Sequence, residues 1–139
     1  MIRSGELVFV DTGAWAAMAL TRDPLHARAA EEWAHLQRNG ARLHTSVPVV
    51  LETFTFLDRN AERAAALGWK HSLTTVARLR ILDITAADLP RVWAYFDRKE
   101  LHKLSAVDAT TFVLMKAARI RYAFTFDHHF VTAGFRLVG

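Results

Sequence analysis

The sequence contains no cysteine. A disulfide framework and a thiolate metal site are therefore both excluded. It has no apolar run long enough to span a bilayer. Its N-terminus lacks the charged-then-apolar layout of a leader, because Glu6 and Asp11 bracket the one apolar run there. A cytoplasmic protein that does not enter the membrane is expected. No repeat, low-complexity tract or linker interrupts the chain. Neither GxxxxGKS nor GxGxxG occurs, which leaves nucleotide hydrolysis without support.

What is present fits one domain of ordinary size, residues 1–139, with a hydrophobic fraction of 52% that can build a core. Lys and Arg number 18 against 14 Asp and Glu, a formal charge of +4 carried mostly by arginine. Arginine forks onto phosphate bidentately, which suits a nucleic-acid partner. An excess this small fits an ordinary solvated surface equally well.

Leu7-Val8-Phe9-Val10 reads as a buried strand that ends abruptly in Asp11-Thr12-Gly13. In an open parallel sheet, ligands sit at the carboxyl ends of the strands, where strand order reverses. The strand is taken as Glu6–Val10, and a short helix follows from Thr12 or Gly13. Asp23-Pro24 starts a helix to about Arg38, which Asn39-Gly40 ends. A second strand covers Arg42–Thr45. Ser46 with Pro48 opens a helix through Val49–Leu57, apolar enough to be buried on most sides.

A long helical stretch is predicted from about Ala61 to Leu79, with Gly68 and Thr74-Thr75 as places where it breaks. Arg80–Ile84 reads as a third strand. Thr85–Asp88 is a capping box opening a helix from Leu89 to Leu101. Ser105 starts another helix, Tyr122–Thr125 is a strand, and Gly134–Val138 adds an edge strand. Strand and helix alternate throughout, which predicts an α/β three-layer sandwich with a mostly parallel central sheet.

Most of the acids lie on helix faces or caps beside basic residues. Asp11, Glu52, Asp108 and Asp127 instead lie in apolar surroundings, where an unpaired carboxylate is costly. Two follow predicted strands and two lie near helix starts, places that an α/β fold brings to one edge of the sheet. Hard oxygen ligands without cysteine suit Mg²⁺ or Mn²⁺. The plainer alternative makes Asp11 and Asp127 helix caps and Asp108 an acid favoured by a helix dipole. Asp83, in ILDIT, is a rival fifth acid: its place within a strand suggests an edge position with the side chain outward, and spacing alone does not exclude it.

The motifs VDTGAW, VVLETF, LSAVDATTFVLMK and FTFDHHF, in this order with a closing GF, resemble the PIN-domain nucleases. More narrowly, they resemble the toxin ribonucleases of bacterial VapBC toxin–antitoxin pairs. The resemblance covers essentially the whole chain. It implies a PIN-like fold and an acidic metal site of Asp11, Glu52, Asp108 and Asp127 binding Mg²⁺ or Mn²⁺. Thr12 and Thr125 are implied as hydroxyls beside it. It further implies an RNA substrate, a small VapB-like antitoxin and a homodimer.

Asp83 matches no acid of the family. The loop Glu100-Leu101-His102-Lys103-Leu104 lacks the extra acids often found before the LS motif, and Asn60 stands where a glycine is common. His128 and His129 are read as structural or phosphate contacts, with His129 packing before Phe130. A metal-independent ribonuclease using His102, His128 or His129 is one alternative, and a non-catalytic RNA- or protein-binding relative is another. Trp15, Trp33, Trp69, Trp93, Phe54 and Phe56 are expected mainly in the core, some of them forming an apolar groove for a partner helix.

Overall fold

A computed structural model describes residues 2–139. Its centre is a five-stranded sheet in the order β3-β2-β1-β4-β5, parallel at every pairing. The strands are β1 (Leu7–Val10), β2 (Arg42–Ser46), β3 (Leu79–Leu82), β4 (Tyr122–Phe124) and β5 (Arg136–Leu137). The helices are α1 (Thr12–Ala19), α2 (His26–Arg38), α3 (Val47–Asn60), α4 (Arg63–Ser72), α5 (Leu89–Ala94), α6 (Ala106–Ala117) and α7 (His129–Thr132).

The order of the strands dictates the layers. From β1 the chain steps outward through β2 to β3, then returns across the sheet to place β4 on the other side of β1. With right-handed crossovers, α1 to α4 cover one face and α5 to α7 the other. The sandwich expected from the alternation of elements is thus formed, with an entirely parallel sheet. The switch point lies between β1 and β4, where Val10 pairs with Phe124.

β1 is central because its side chains can be buried on both faces: Val8, Phe9 and Val10 are all inaccessible to solvent. On the α5–α6 side, Phe112 meets the ring edge of Phe130 at 4.9 Å between centroids and stacks on Phe135 at 5.7 Å. That cluster anchors the one-turn helix α7. Trp15, Trp33 and Trp69 pack together, with Trp15 lying 5.6 Å from Trp33 and 5.9 Å from Trp69.

Several boundaries differ from expectation. α2 begins at His26, because the Asp23 carboxylate accepts the Leu25 amide at 2.8 Å and holds Pro24 in a turn. The stretch from Ala61 to Leu79 is helical only over Arg63–Ser72, with a 3₁₀ turn at Leu73–Thr75. Arg78 then takes a left-handed conformation, φ 58°, so that Leu79 can pair with Leu43 in the sheet.

The helix from Leu89 ends at Ala94, with a 3₁₀ turn at Tyr95–Asp97, far short of Leu101. Leu101 and Leu104 are both buried, which pins the following loop to the core on a non-helical path. α3 is less enclosed than its composition predicts: Val47, Leu51 and Phe56 are exposed. So is Trp93, at 55%, which removes it from the core. Asp83 lies just beyond edge strand β3 rather than inside it. It is exposed, and its carboxylate accepts the Ile84 amide at 2.8 Å.

Candidate active site

Asp11 follows β1 and is almost completely buried, at 4% exposure. Its amide donates to the Phe124 carbonyl at 3.0 Å, which locks the end of β1 against β4. Its backbone carbonyl accepts the amides of Ala14 and Trp15, both at 3.1 Å. The side chain, however, makes no cap bond to α1. One carboxylate oxygen, Oδ2, accepts the Thr125 hydroxyl at 3.0 Å. The other, Oδ1, is buried and has no hydrogen-bond partner among the described residues. A buried charged oxygen without a partner is costly unless a cation meets it.

Glu52 reaches the site from the second turn of α3. Ser46 starts that helix by accepting the Val49 amide at 3.2 Å, with Pro48 in the first turn. Thr12, at the first position of α1, donates its hydroxyl to Glu52 Oε1 at 2.7 Å. Asp108 lies in the first turn of α6. There Ser105 is the N-cap and accepts the Asp108 amide at 3.0 Å, so capping does not engage the Asp108 carboxylate.

Asp127 follows β4, and its amide donates to the Thr125 hydroxyl oxygen at 3.1 Å. Its Oδ1 accepts the His129 amide at 2.9 Å and faces His129 Nδ1 at 2.7 Å. His129 Nε2 meets the backbone carbonyl of His102. Both ring nitrogens therefore face acceptors, and the fully protonated imidazolium satisfies both. Ligand atoms of Asp108, Asp127 and His129 all lie within 4.8 Å of one another.

The electrostatics report the crowding. Burial pushes Asp11 up to about 6 and repulsion from Glu52 and Asp127 adds to it, against the lowering effect of the Thr12 amide and Thr125 hydroxyl. Asp108 is pushed up to about 8, by burial first and then by Asp11, Asp127 and Glu52. For Asp127 burial acts upward, but the amide and ring of His129 outweigh it and hold the carboxyl below its ordinary value. The His102 carbonyl raises His129, and Asp127 and Asp108 reinforce the effect.

Asp11, Glu52, Asp108 and Asp127 thus feel one another at the carboxyl edge of the sheet, with Thr12 and Thr125 each bonded to one of them. Asp83 does not join them. The donor set is oxygen-rich, and its most buried member carries an unpartnered oxygen. These residues fit a hard divalent cation.

The residue least legible beforehand is His129. Reading it as a structural contact agrees with its bonds, but nothing in the spacing revealed that its ring joins Asp127 to the His102 loop. The only signal was its position two residues after an acid, where a side-chain-to-amide turn forms. His128 is exposed.

The sequence pattern of the PIN domain matches residues 8–136. The chain belongs to the PIN-domain family. It is 35% identical over 130 residues to the 23S rRNA-specific endonuclease VapC20 of Mycobacterium tuberculosis, in strain CDC 1551 / Oshkosh and in strain H37Rv alike. The match covers 93% of this chain and 95% of the relative. The crystal structure of M. tuberculosis VapC20, described as a sarcin-ricin loop cleaving toxin, superposes with a TM-score of 0.81 at 32% identity, covering 92% of this chain and 95% of that one. VapBC2 from Rickettsia felis, solved with a DNA fragment from its promoter, shares the fold at a TM-score of 0.70 and 13% identity, covering 94% and 96% of the two chains. The likeness to VapC-type toxins expected from the motifs extends over most of this PIN-domain chain.

Proposed function

We propose that residues 1–139 form one metal-dependent endoribonuclease domain, the toxin half of a VapBC-type pair acting in the cytoplasm. The observation that carries this reading is the convergence of Asp11, Glu52, Asp108 and Asp127, with Asp11 Oδ1 buried and unpartnered. Those acids would hold Mg²⁺ or Mn²⁺. When bound, such an ion supplies Lewis acidity for hydrolysis of a phosphodiester by water.

The chain's own residues prepare the site. Thr125 fixes Asp11 through Oδ2 and leaves Oδ1 available. Thr12 holds one oxygen of Glu52 and His129 holds one oxygen of Asp127. Each acid held in this way keeps one oxygen outside these contacts. Elevated carboxyl pKa values mean that protons compete with the cation, and cation binding releases them.

The mycobacterial relative is 23S rRNA-specific, so ribosomal RNA is the first substrate for this protein. An antitoxin with an apolar helix would meet exposed apolar side chains on α3, Val47, Leu51 and Phe56, whereas Trp15 and Trp69 are buried in the core. No described helix is long and apolar enough to cross a membrane.

A metal-independent histidine mechanism has less support, because both ring nitrogens of His129 are already engaged. A purely structural role for the acids leaves the bare Asp11 oxygen unexplained. The deciding experiment incubates the purified protein with ribosomal RNA in Mg²⁺, in Mn²⁺ and in EDTA. Cleavage leaving 5′-phosphate ends that EDTA abolishes is the expected result. Cleavage that survives EDTA overturns the metal-dependent reading.

A further inference from the structure

Four converging carboxylates repel the polyanion they are read to cut, so the RNA strand needs cations at the rim of the site. The segment bearing Asp127 collects two, one on each side of Asp127 along the chain. On one side Phe126, the residue before Asp127, carries the Arg28 guanidinium over its ring, 5.4 Å from the centroid. Arg28 is exposed, lies in the first turn of α2 and forms no ion pair among the described residues. The ring attracts the guanidinium without consuming its N–H groups, which leaves them for a phosphate.

On the other side His129, two residues after Asp127, meets the carbonyl of His102 and so holds the turn that presents Lys103. Lys103 is exposed, likewise unpaired among the described residues, and left-handed at φ 56°. A non-glycine residue seldom adopts that conformation unless its surroundings impose it. Here buried Leu104 and the His102 carbonyl flank it.

Resting on the ribonuclease reading above, we propose that Arg28 and Lys103 bind the phosphates of the RNA strand on either side of Asp127. Phe126 and His129 are the positioning residues that orient the two supports relative to Asp127.

The test measures binding of a fluorescein-labelled single-stranded RNA by the full-length Asp108→Asn protein across a salt series. Each phosphate contact to a single strand contributes about 0.7 to the slope of log affinity against log salt. Arg28→Ala and Lys103→Ala, each added to Asp108→Asn, should weaken binding several-fold and lower the slope by about that amount. Arg28→Lys should restore much of the slope. Arg121→Ala, at the opposite edge of the sheet, should leave it unchanged. In the active enzyme, Arg28→Ala and Lys103→Ala should raise KM far more than they lower kcat.

Slopes equal to the parent's in both alanine variants overturn the proposal. So does an Arg121→Ala slope reduced as much as theirs, which would mean diffuse attraction. If the Asp108→Asn parent binds no RNA and the wild type cleaves none with Mg²⁺ or Mn²⁺, the ribonuclease reading itself fails, and the proposal falls with it. If the wild type does cleave, the same variants are compared by KM in the active enzyme, and an unchanged KM in both overturns the proposal alone.

Discussion

Thr125 donates its hydroxyl to Asp11 at 3.0 Å across 114 positions of sequence, and the same hydroxyl oxygen accepts the Asp127 amide at 3.1 Å. One small side chain thereby joins the ends of β1 and β4 at the switch point. Thr125→Val keeps the shape and removes both bonds, leaving the Asp11 carboxylate without a side-chain donor. A hydrogen bond to a charged group contributes about 1.5–3 kcal/mol. The variant should melt several degrees lower, and Thr125→Ser should recover most of the loss. Unchanged melting of Thr125→Val would show that the link does not hold the two strand ends together.

Removing any acid of the cluster should cripple cleavage while leaving the fold intact. Asp11→Asn, Glu52→Gln, Asp108→Asn and Asp127→Asn should each lower kcat/KM about 100-fold or more, equivalent to about 3 kcal/mol of transition-state stabilisation. Asp83→Asn, exposed beyond β3, should change it less than twofold. Initial-rate cleavage assays, with circular dichroism to verify folding, separate the two classes. Full activity in Asp11→Asn removes that residue from the site.

The raised carboxyl pKa values make stability depend on pH in a defined direction. Asp11 rises from 3.8 to about 6 and Asp108 from 3.8 to about 8. Both groups bind protons more tightly folded than unfolded, so their contribution is complete below pH 3.8. It is lost as pH rises, through about 6 for Asp11 and about 8 for Asp108. Above the ordinary carboxylate range, the metal-free protein should therefore lose stability as pH rises toward 8. Mn²⁺ should raise its melting temperature most at the alkaline end of that window. Asp108→Asn should flatten the pH dependence and shrink the Mn²⁺ effect. Thermal melts in EDTA and in Mn²⁺ across the pH range test this, and a wild type insensitive to Mn²⁺ at every pH contradicts it.

His129 ties Asp127 to the loop from Arg98 to Ser105, so its loss should be felt in that loop. His129→Ala should accelerate tryptic cleavage at Lys99 and Lys103 while cleavage elsewhere stays slow. The raised pKa of His129 means that its bonds stabilise the fold fully below its ordinary value of 6.5 and weaken as pH rises through the folded value. Wild-type cleavage in the loop should accordingly quicken in alkali. Identical digestion kinetics for the two proteins would place the loop's anchor in Leu101 and Leu104 alone.

The sequence by itself determined the order of strands and helices and singled out a small set of acids. The apolar run Leu7–Val10 reads as a buried strand, and its abrupt end puts Asp11 at the carboxyl edge of the sheet. The alternation of strands and helices determined the sandwich. Isolation in apolar sequence set Asp11, Glu52, Asp108 and Asp127 apart from the acids that merely solvate helices. These features are local, because hydrophobic period and charge context are properties of neighbouring residues.

Tertiary structure decided what depends on distant partners. The early end of the helix after Leu89 follows from burial of Leu101 and Leu104, and the left-handed turn at Arg78 from the pairing of Leu79 with Leu43. Periodicity carries no trace of either constraint. The same holds within the site. That Thr12 serves Glu52, that Thr125 serves Asp11 and that His129 holds Asp127 are all contacts between separate elements or across a turn. They exist only because the switch point brings the ends of β1 and β4 together, and hydrogen-bond geometry at 3 Å is settled by packing rather than by order along the chain.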